Sequence, residues 1–216
     1  MFKNATIYRF KKAPNGIAAK FTSFVPCGAT QEKSVGWVPP RGHEHGDIIE
    51  MIGGQRIVKL MIETKSVPSQ AINNATAVRI KEIEANTGRK PGKKETREIK
   101  DDVKLALLPH AFPKRTAVLG WIDDANGLLV IDSSSQSRTD DFITALMHAV
   151  DGLTISLINT VTSPQAVMTQ WLLAEDADEW PKRIAVEREC VLKATGEDAA
   201  SIRFTRHHLA NDDVRK

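Results

Sequence analysis

Residues 117–132 read Ala-Val-Leu-Gly-Trp-Ile-Asp-Asp-Ala-Asn-Gly-Leu-Leu-Val-Ile-Asp. Two apolar, β-branched runs, Ala117 to Ile122 and Leu128 to Asp132, flank the polar stretch Asp123 to Gly127. Asn126-Gly127 is the strongest short hairpin signal, because the tight turn needs positive φ and these two residues tolerate it at least cost. The stretch predicts an antiparallel β-hairpin, and the rest of the chain is placed around it.

Upstream the period changes from two to 3.6. Ile72, Ala75, Val78 or Arg79, and Ile83 recur at helical spacing after Pro68, with Ser69 as the expected N-cap and Gly88 as the stop. Pro91-Gly92 separates this helix from a second, about Lys94 to Leu108, with Ile99, Val103, Ala106 and Leu107 on one stripe and Pro109 at its end. Short connections make such helices antiparallel neighbours. Downstream, a helix over about Thr139–Val150, a strand over Leu153–Ile158 and a short helix over Pro164–Leu173 are expected. Arg183–Leu192 and Ser201–Arg206 are expected to pair across Gly196.

At the start, Asn4 to Phe10 alternates as a strand does, and Arg56 to Glu63 reads as a second strand. Lys11 to Phe24 is ambiguous, with a turn at Pro14-Asn15-Gly16. Gly36-Trp37-Val38-Pro39-Pro40 is expected to be a rigid extended loop, since paired prolines continue neither a helix nor a central strand. The glycine-rich run Gly42 to Gly54 is expected to be exposed loop. Asn211-Asp212-Asp213 looks like a helix start at the end of the sequence. The sum is an α+β chain of mixed antiparallel sheets and hairpins with a projecting basic helical hairpin. It divides into an N-terminal α+β part (1–66), the helical tip (67–115) and an apparently truncated C-terminal α+β part (116–216).

The 216 residues are 41% hydrophobic and 26% charged, which excludes rods, collagens and disordered tails. No apolar run suits a membrane span, Met1 to Arg9 lack a signal-peptide core, and Cys27 and Cys190 build no disulfide framework. The expectation is a soluble, intracellular chain with no membrane partner. Net charge is only +3, but Arg79 to Arg115 alone carries eleven Lys or Arg against six Asp or Glu. That asymmetry points to a local basic surface.

Signals for catalysis are weak. His43, Glu44, His45 and Asp47 offer metal-ligand chemistry at a spacing that matches no standard site. Asp123, Asp124 and Asp132 could suggest a metal-dependent nuclease, but aspartates are ordinary turn formers. Ser133-Ser134-Ser135 lacks the glycines of a nucleophile elbow. We therefore expect no catalytic residue, no metal and no cofactor. The basic residues remain: Arg89, Lys90, Lys93, Lys94, Arg97 and Lys100 on the helical hairpin, and Arg203, Arg206 and His207 near the end. They suit contacts to a nucleic-acid backbone, which bind without reading sequence, or else form a solvated helix face.

An ordered set of short motifs then resembles the bacterial recombination-associated protein RdgC family: Phe2-Lys3-Asn4 leading to Tyr8-Arg9, Phe24-Val25-Pro26-Cys27-Gly28, Gly36-Trp37-Val38-Pro39-Pro40, Leu107-Leu108-Pro109-His110-Ala111-Phe112, and Trp121-Ile122-Asp123 with Asn126-Gly127-Leu128. The resemblance implies a non-enzymatic protein of the cytoplasm and nucleoid whose horseshoe-like subunits form a homodimeric ring around double-stranded DNA. It would bind with little sequence preference and restrain recombinase loading. It places Phe112 at the dimer gate, as against a core residue capping the helix end, and Arg206 and His207 at that gate or on DNA. His207 departs from the usual amide or basic residue. The chain looks like a short or C-terminally truncated member, of phage or prophage type. The alternative role is an interaction protein that heterodimerises with a full-length relative.

Overall fold

The computed structural model describes residues 2–11, 20–43, 45–174, 182, 187–194 and 200–209. The turn expected at 14–16, Glu44, the start of the strand expected from Arg183, the join at Gly196 and the helix start at Asn211 lie outside the described residues. The chain forms two compact units, Met1–Ile158 and Asn159–Lys216. The architecture is α+β, and all strand pairing within the sheets is antiparallel.

The first unit is built on one seven-stranded sheet. Its strands are β1 (Thr6–Lys11), β2 (Lys33–Val38), β3 (Ile49–Ile52), β4 (Gln55–Lys65), β5 (Pro113–Asp123), β6 (Leu128–Ile131) and β7 (Thr154–Leu157). The order is β2-β4-β5-β6-β1-β7, with β3 also paired to β4. The expected hairpin is β5–β6, with Gly127 at φ +62°. β5 begins at Pro113, so its ladder with β4 runs from Arg56 opposite Ile122 to Lys65 opposite Pro113.

Alternate residues of these strands fill the core. Val58, Leu60 and Ile62 on β4, Val118 and Ile122 on β5, Leu129 on β6 and Tyr8 on β1 pack with Phe142 and Leu146 of helix α3 (Gln136–Ala149). Gly120 permits this packing, since a Cβ there would lie 2.1 Å from the Phe142 ring. Phe142 in turn meets Trp37 edge-on, with centroids 5.2 Å apart.

Two stretches expected to be loop are partly strand. Gly36-Trp37-Val38 ends β2, where Trp37 sits opposite Leu60 and is buried. The prolines follow the strand instead of interrupting it. A Cβ on Gly36 would meet the Phe24 backbone at 2.4 Å, so glycine admits the segment that covers this edge. There, Phe24 N–H donates to Trp37 O at 3.0 Å, and Trp37 N–H donates to Thr22 O at 2.9 Å. Within the glycine-rich run, Ile49–Ile52 is β3, and Gly53 and Gly54, at φ +58° and +81°, turn it into β4.

Between β4 and β5 the chain leaves the sheet as two helices in contact, α1 (Ser69–Thr87) and α2 (Lys93–Leu107). Ser69 is the first helical residue rather than the N-cap: Pro68, with φ −57° and ψ 134°, holds that position and has no side-chain acceptor to cap the helix. Gly88 closes α1 in the left-handed region at φ +68°, as expected. Ile72, Thr76 and Ile99 are buried, whereas Val78 and Ala106 of the expected stripes are exposed. A 3-10 turn, Leu108–His110, ends α2 with Leu108 fully buried.

The second unit contains α4 (Pro164–Leu173) and the antiparallel pair β8 (Glu189–Lys193) and β9 (Ser201–Thr205). Ser163 caps α4 by accepting from Ala166 N at 3.1 Å, with Pro164 at the first helical position. No helix of the described residues is long and apolar enough to cross a membrane.

Candidate nucleic-acid interface

A helical period places Lys93, Arg97, Lys100 and Lys104 within one narrow arc of α2, because residues four, seven and eleven apart return to the same face. Over eleven residues at 1.5 Å rise, this basic stripe runs roughly 16 Å. Lys93, Arg97 and Lys100 are exposed and make no ion pair among the described residues. Glu95, Glu98 and Asp102 lie away from the basic stripe, whereas Asp101, four residues after Arg97, borders it; Glu95 and Asp102 are four and three residues from buried Ile99 and flank it.

The first turn of α2 is electrostatically mixed: Glu95 suits the helix dipole and accepts from the Gly92 backbone N–H, whereas two lysines oppose the dipole. Lys93 and Lys94 occupy its first two positions, where the helix dipole disfavours cations, and N-cap Gly92 has no side chain to cap the free N–H groups. The same arrangement of open N–H groups and cations is favourable toward an anion. Lys90, in the connection from α1, is also exposed and has no acidic partner among the described residues.

Two of the expected basic residues are already engaged. Arg89 grips Glu95 through both nitrogens, at 2.8 and 3.3 Å, and this guanidinium holds the Glu95 carboxyl below the usual carboxylate range. Lys94 lies 4.0 Å from Glu98. Lys104, which the sequence reading left out, belongs to the stripe by its spacing and pairs with Glu32 at 2.6 Å.

Phe112 is 94% exposed, between the 3-10 turn and the first residue of β5. It is therefore not a core residue. Buried Leu108 fills that role at the end of α2. In the second unit, Arg203 lies opposite Val191 on the β8–β9 ladder and is exposed. Arg206 follows β9 at φ +56°, unlike any other non-glycine among the described residues. A side chain in that region is uncommon and marks a backbone held by its surroundings. His207 N–H donates to Arg188 O at 3.1 Å, and its ring lies 5.6 Å from Phe204.

The three aspartates of the nuclease alternative are occupied in building the fold. Asp123 is buried and accepts from Ala125 N and Asn126 N at 3.1 Å and from Asn126 Nδ2 at 2.6 Å. The Asn126 side-chain amide, foremost, holds its carboxyl below the usual range. Asp124 pairs with Arg56, and Asp132 accepts from Lys3 N at 2.9 Å and Asn4 N at 2.8 Å. Among the described residues, no three His, Cys, Asp or Glu side chains converge as a metal site. Cys27 and Cys190 are free thiols.

Comparison with known proteins adds a relationship over the whole chain. Residues 1–216 match the family model described as "Putative exonuclease, RdgC". The "Recombination-associated protein RdgC" of Herminiimonas arsenicoxydans is 38% identical over 222 aligned positions, which cover 100% of this chain and 72% of that relative. The protein of the same name from Janthinobacterium sp. (strain Marseille) is 37% identical with the same coverage. That of Dechloromonas aromatica (strain RCB) is 34% identical over 98% of this chain and 70% of its own length. The relatives' names state an association with recombination, whereas the family description carries an exonuclease.

Proposed function

This chain belongs to the RdgC family, and on that premise we propose that it is a non-catalytic, sequence-independent binder of double-stranded DNA that acts in recombination. The observation that carries the proposal is the stripe Lys93–Arg97–Lys100–Lys104 along α2, with three of its four cations exposed and unpaired among the described residues. Roughly 16 Å of duplex axis presents about five phosphates on each strand, a repeat such a stripe can follow. Its lysines and arginines would neutralise phosphates and release counterions, which gives affinity without reading bases.

The engagement of Asp123, Asp124 and Asp132 by backbone and arginine favours binding over the exonuclease chemistry of the family description. Exposed Phe112 supports association of two copies, since a large aromatic kept in water is unfavourable unless it docks. In this reading two subunits close a ring through Phe112 and the Arg206–His207 segment, the hairpin cations face the hole, and the ring restrains recombinase loading.

The test combines sedimentation of the chain with fluorescence anisotropy on linear and closed circular duplexes of two unrelated sequences. A dimer with equal affinity for both sequences and slower release from circles supports the proposal. A chain without affinity for duplex, or with a strong sequence preference, contradicts it.

A further inference from the structure

A second basic surface, lined by no residue of α2, lies on the face of the sheet that carries α3. Lys33 of β2, Thr64 of β4 and Lys114 of β5 stand in one row of the sheet, because Lys33 is opposite Thr64 and Thr64 is opposite Lys114. Two strand spacings set the lysine backbones about 10 Å apart. Arg138 and Ser137, from the first turn of α3, join them in lining one cleft of about 230 Å³.

The charge of this cleft is unbalanced. Asp141 is its single carboxylate, and it pairs with Lys33 at 2.5 Å. Lys114 and Arg138 are exposed and have no acidic partner among the described residues. The first turn of α3 carries no acid, and its N-cap Ser135 makes no side-chain cap, so the positive end of the helix adds to the excess. Ammonium, guanidinium and hydroxyl donors from four separate elements thus line one concave surface. A tetrahedral oxyanion satisfies such a set, whereas a single acidic side chain would not reach all of it.

We infer that the cleft between β2, β4, β5 and α3 is a phosphate-binding site separate from the α2 stripe. The phosphate comes from a duplex backbone or from a free phosphate-bearing molecule, and the chemistry recognised is the same. The inference does not depend on the duplex proposal, because inorganic phosphate alone tests it.

The full chain, labelled with 15N, is titrated with inorganic phosphate at constant ionic strength, balanced with chloride, and the amide resonances of Ser137 and Arg138 are followed. Saturable shifts are expected. They should weaken at least tenfold in Lys114→Ala/Arg138→Ala and persist in Lys114→Arg/Arg138→Lys, with the melting temperature unchanged in both. Absent or non-saturating shifts, or equal affinity in the alanine pair, would overturn the inference.

A second arm identifies the source. If it is DNA, the alanine pair lowers the salt dependence of duplex binding by about two phosphate contacts. If it is a free ligand, that dependence stays unchanged while phosphate binding is lost. Failure of the α2 stripe to bind duplex would leave the phosphate titration unaffected, so the two accounts fail separately.

Discussion

Glu63 and Arg115 stand directly opposite each other on β4 and β5, and the buried Glu63 carboxylate accepts from Arg115 Nε at 2.6 Å. The other carboxylate oxygen accepts from Cys27 N at 2.7 Å. One acid therefore ties the Pro26-Cys27-Gly28 segment to the two longest strands of the sheet. The Arg115 guanidinium also lies 5.5 Å from the Phe24 ring, so both ends of the Phe24–Gly28 motif are held by this pair. The same β5 residues follow Phe112, so the clamp also fixes the base from which that ring projects.

Protonation should release the clamp. The hydrogen bond from Arg115, followed by that from Cys27 N, holds the Glu63 carboxyl below its ordinary value. A depressed folded-state pKa contributes stability that is fully present above the unfolded value, near 4.3, and is lost as pH falls through the folded value. Thermal melts of Glu63→Gln should show lower stability than the wild type at pH 7, with the gap narrowing below about pH 4. A constant gap across that range would mean the charge is not what Glu63 contributes.

Gly120→Ala should destabilise the first unit by about 1–3 kcal/mol, at the upper end for overpacking. Its Cβ would overlap the fully buried Phe142 ring, which is itself confined by Trp37. Urea denaturation measures this. Truncation of Phe142 in the same chain should recover part of the loss, because the two positions share one space.

Phe112→Ala should leave the melting temperature of the monomer nearly unchanged, because the ring is 94% exposed. If the ring closes a dimer, association should weaken by about 2–4 kcal/mol, the range for a buried aromatic anchor. Sedimentation equilibrium reads the association. A large loss of melting temperature with association unchanged would place Phe112 in the fold of its own chain.

Incubation with duplex DNA and magnesium or manganese should leave both strands intact. Asp123 is committed to the turn through Ala125 and Asn126, and Asp132 to the backbone of Lys3 and Asn4. Strand cleavage that disappears in Asp123→Ala would establish the nuclease alternative.

Local signals made some elements legible in the sequence and left others hidden. Asn126-Gly127 announced β5–β6, Gly88 ended α1, and Pro164 started α4, because each encodes its own backbone geometry. β2 was misread because Pro39-Pro40 weighed more than buried Trp37, although a proline bars only its own position from the ladder. β3 was hidden among glycines that prove to be its turn. The sequence reading placed Lys93, Arg97 and Lys100 on the helical hairpin without aligning them; helical spacing puts them on one face together with Lys104. The bidentate grip of Glu95 on Arg89 needed the actual approach of the connection to α2. The Lys33–Thr64–Lys114 row joins residues far apart in the chain through strand register, which no local pattern encodes.

The account rests most heavily on the basic stripe of α2, and the salt dependence of duplex binding tests it most directly. The affinity of the wild type and of Lys93→Ala/Arg97→Ala/Lys100→Ala is measured by anisotropy on one linear duplex from about 50 to 200 mM salt. If these side chains meet phosphates, the logarithmic slope of the triple variant falls by about two to three, with the fold intact by melting temperature. An identical slope in the two proteins would remove α2 from the DNA surface and contradict the account.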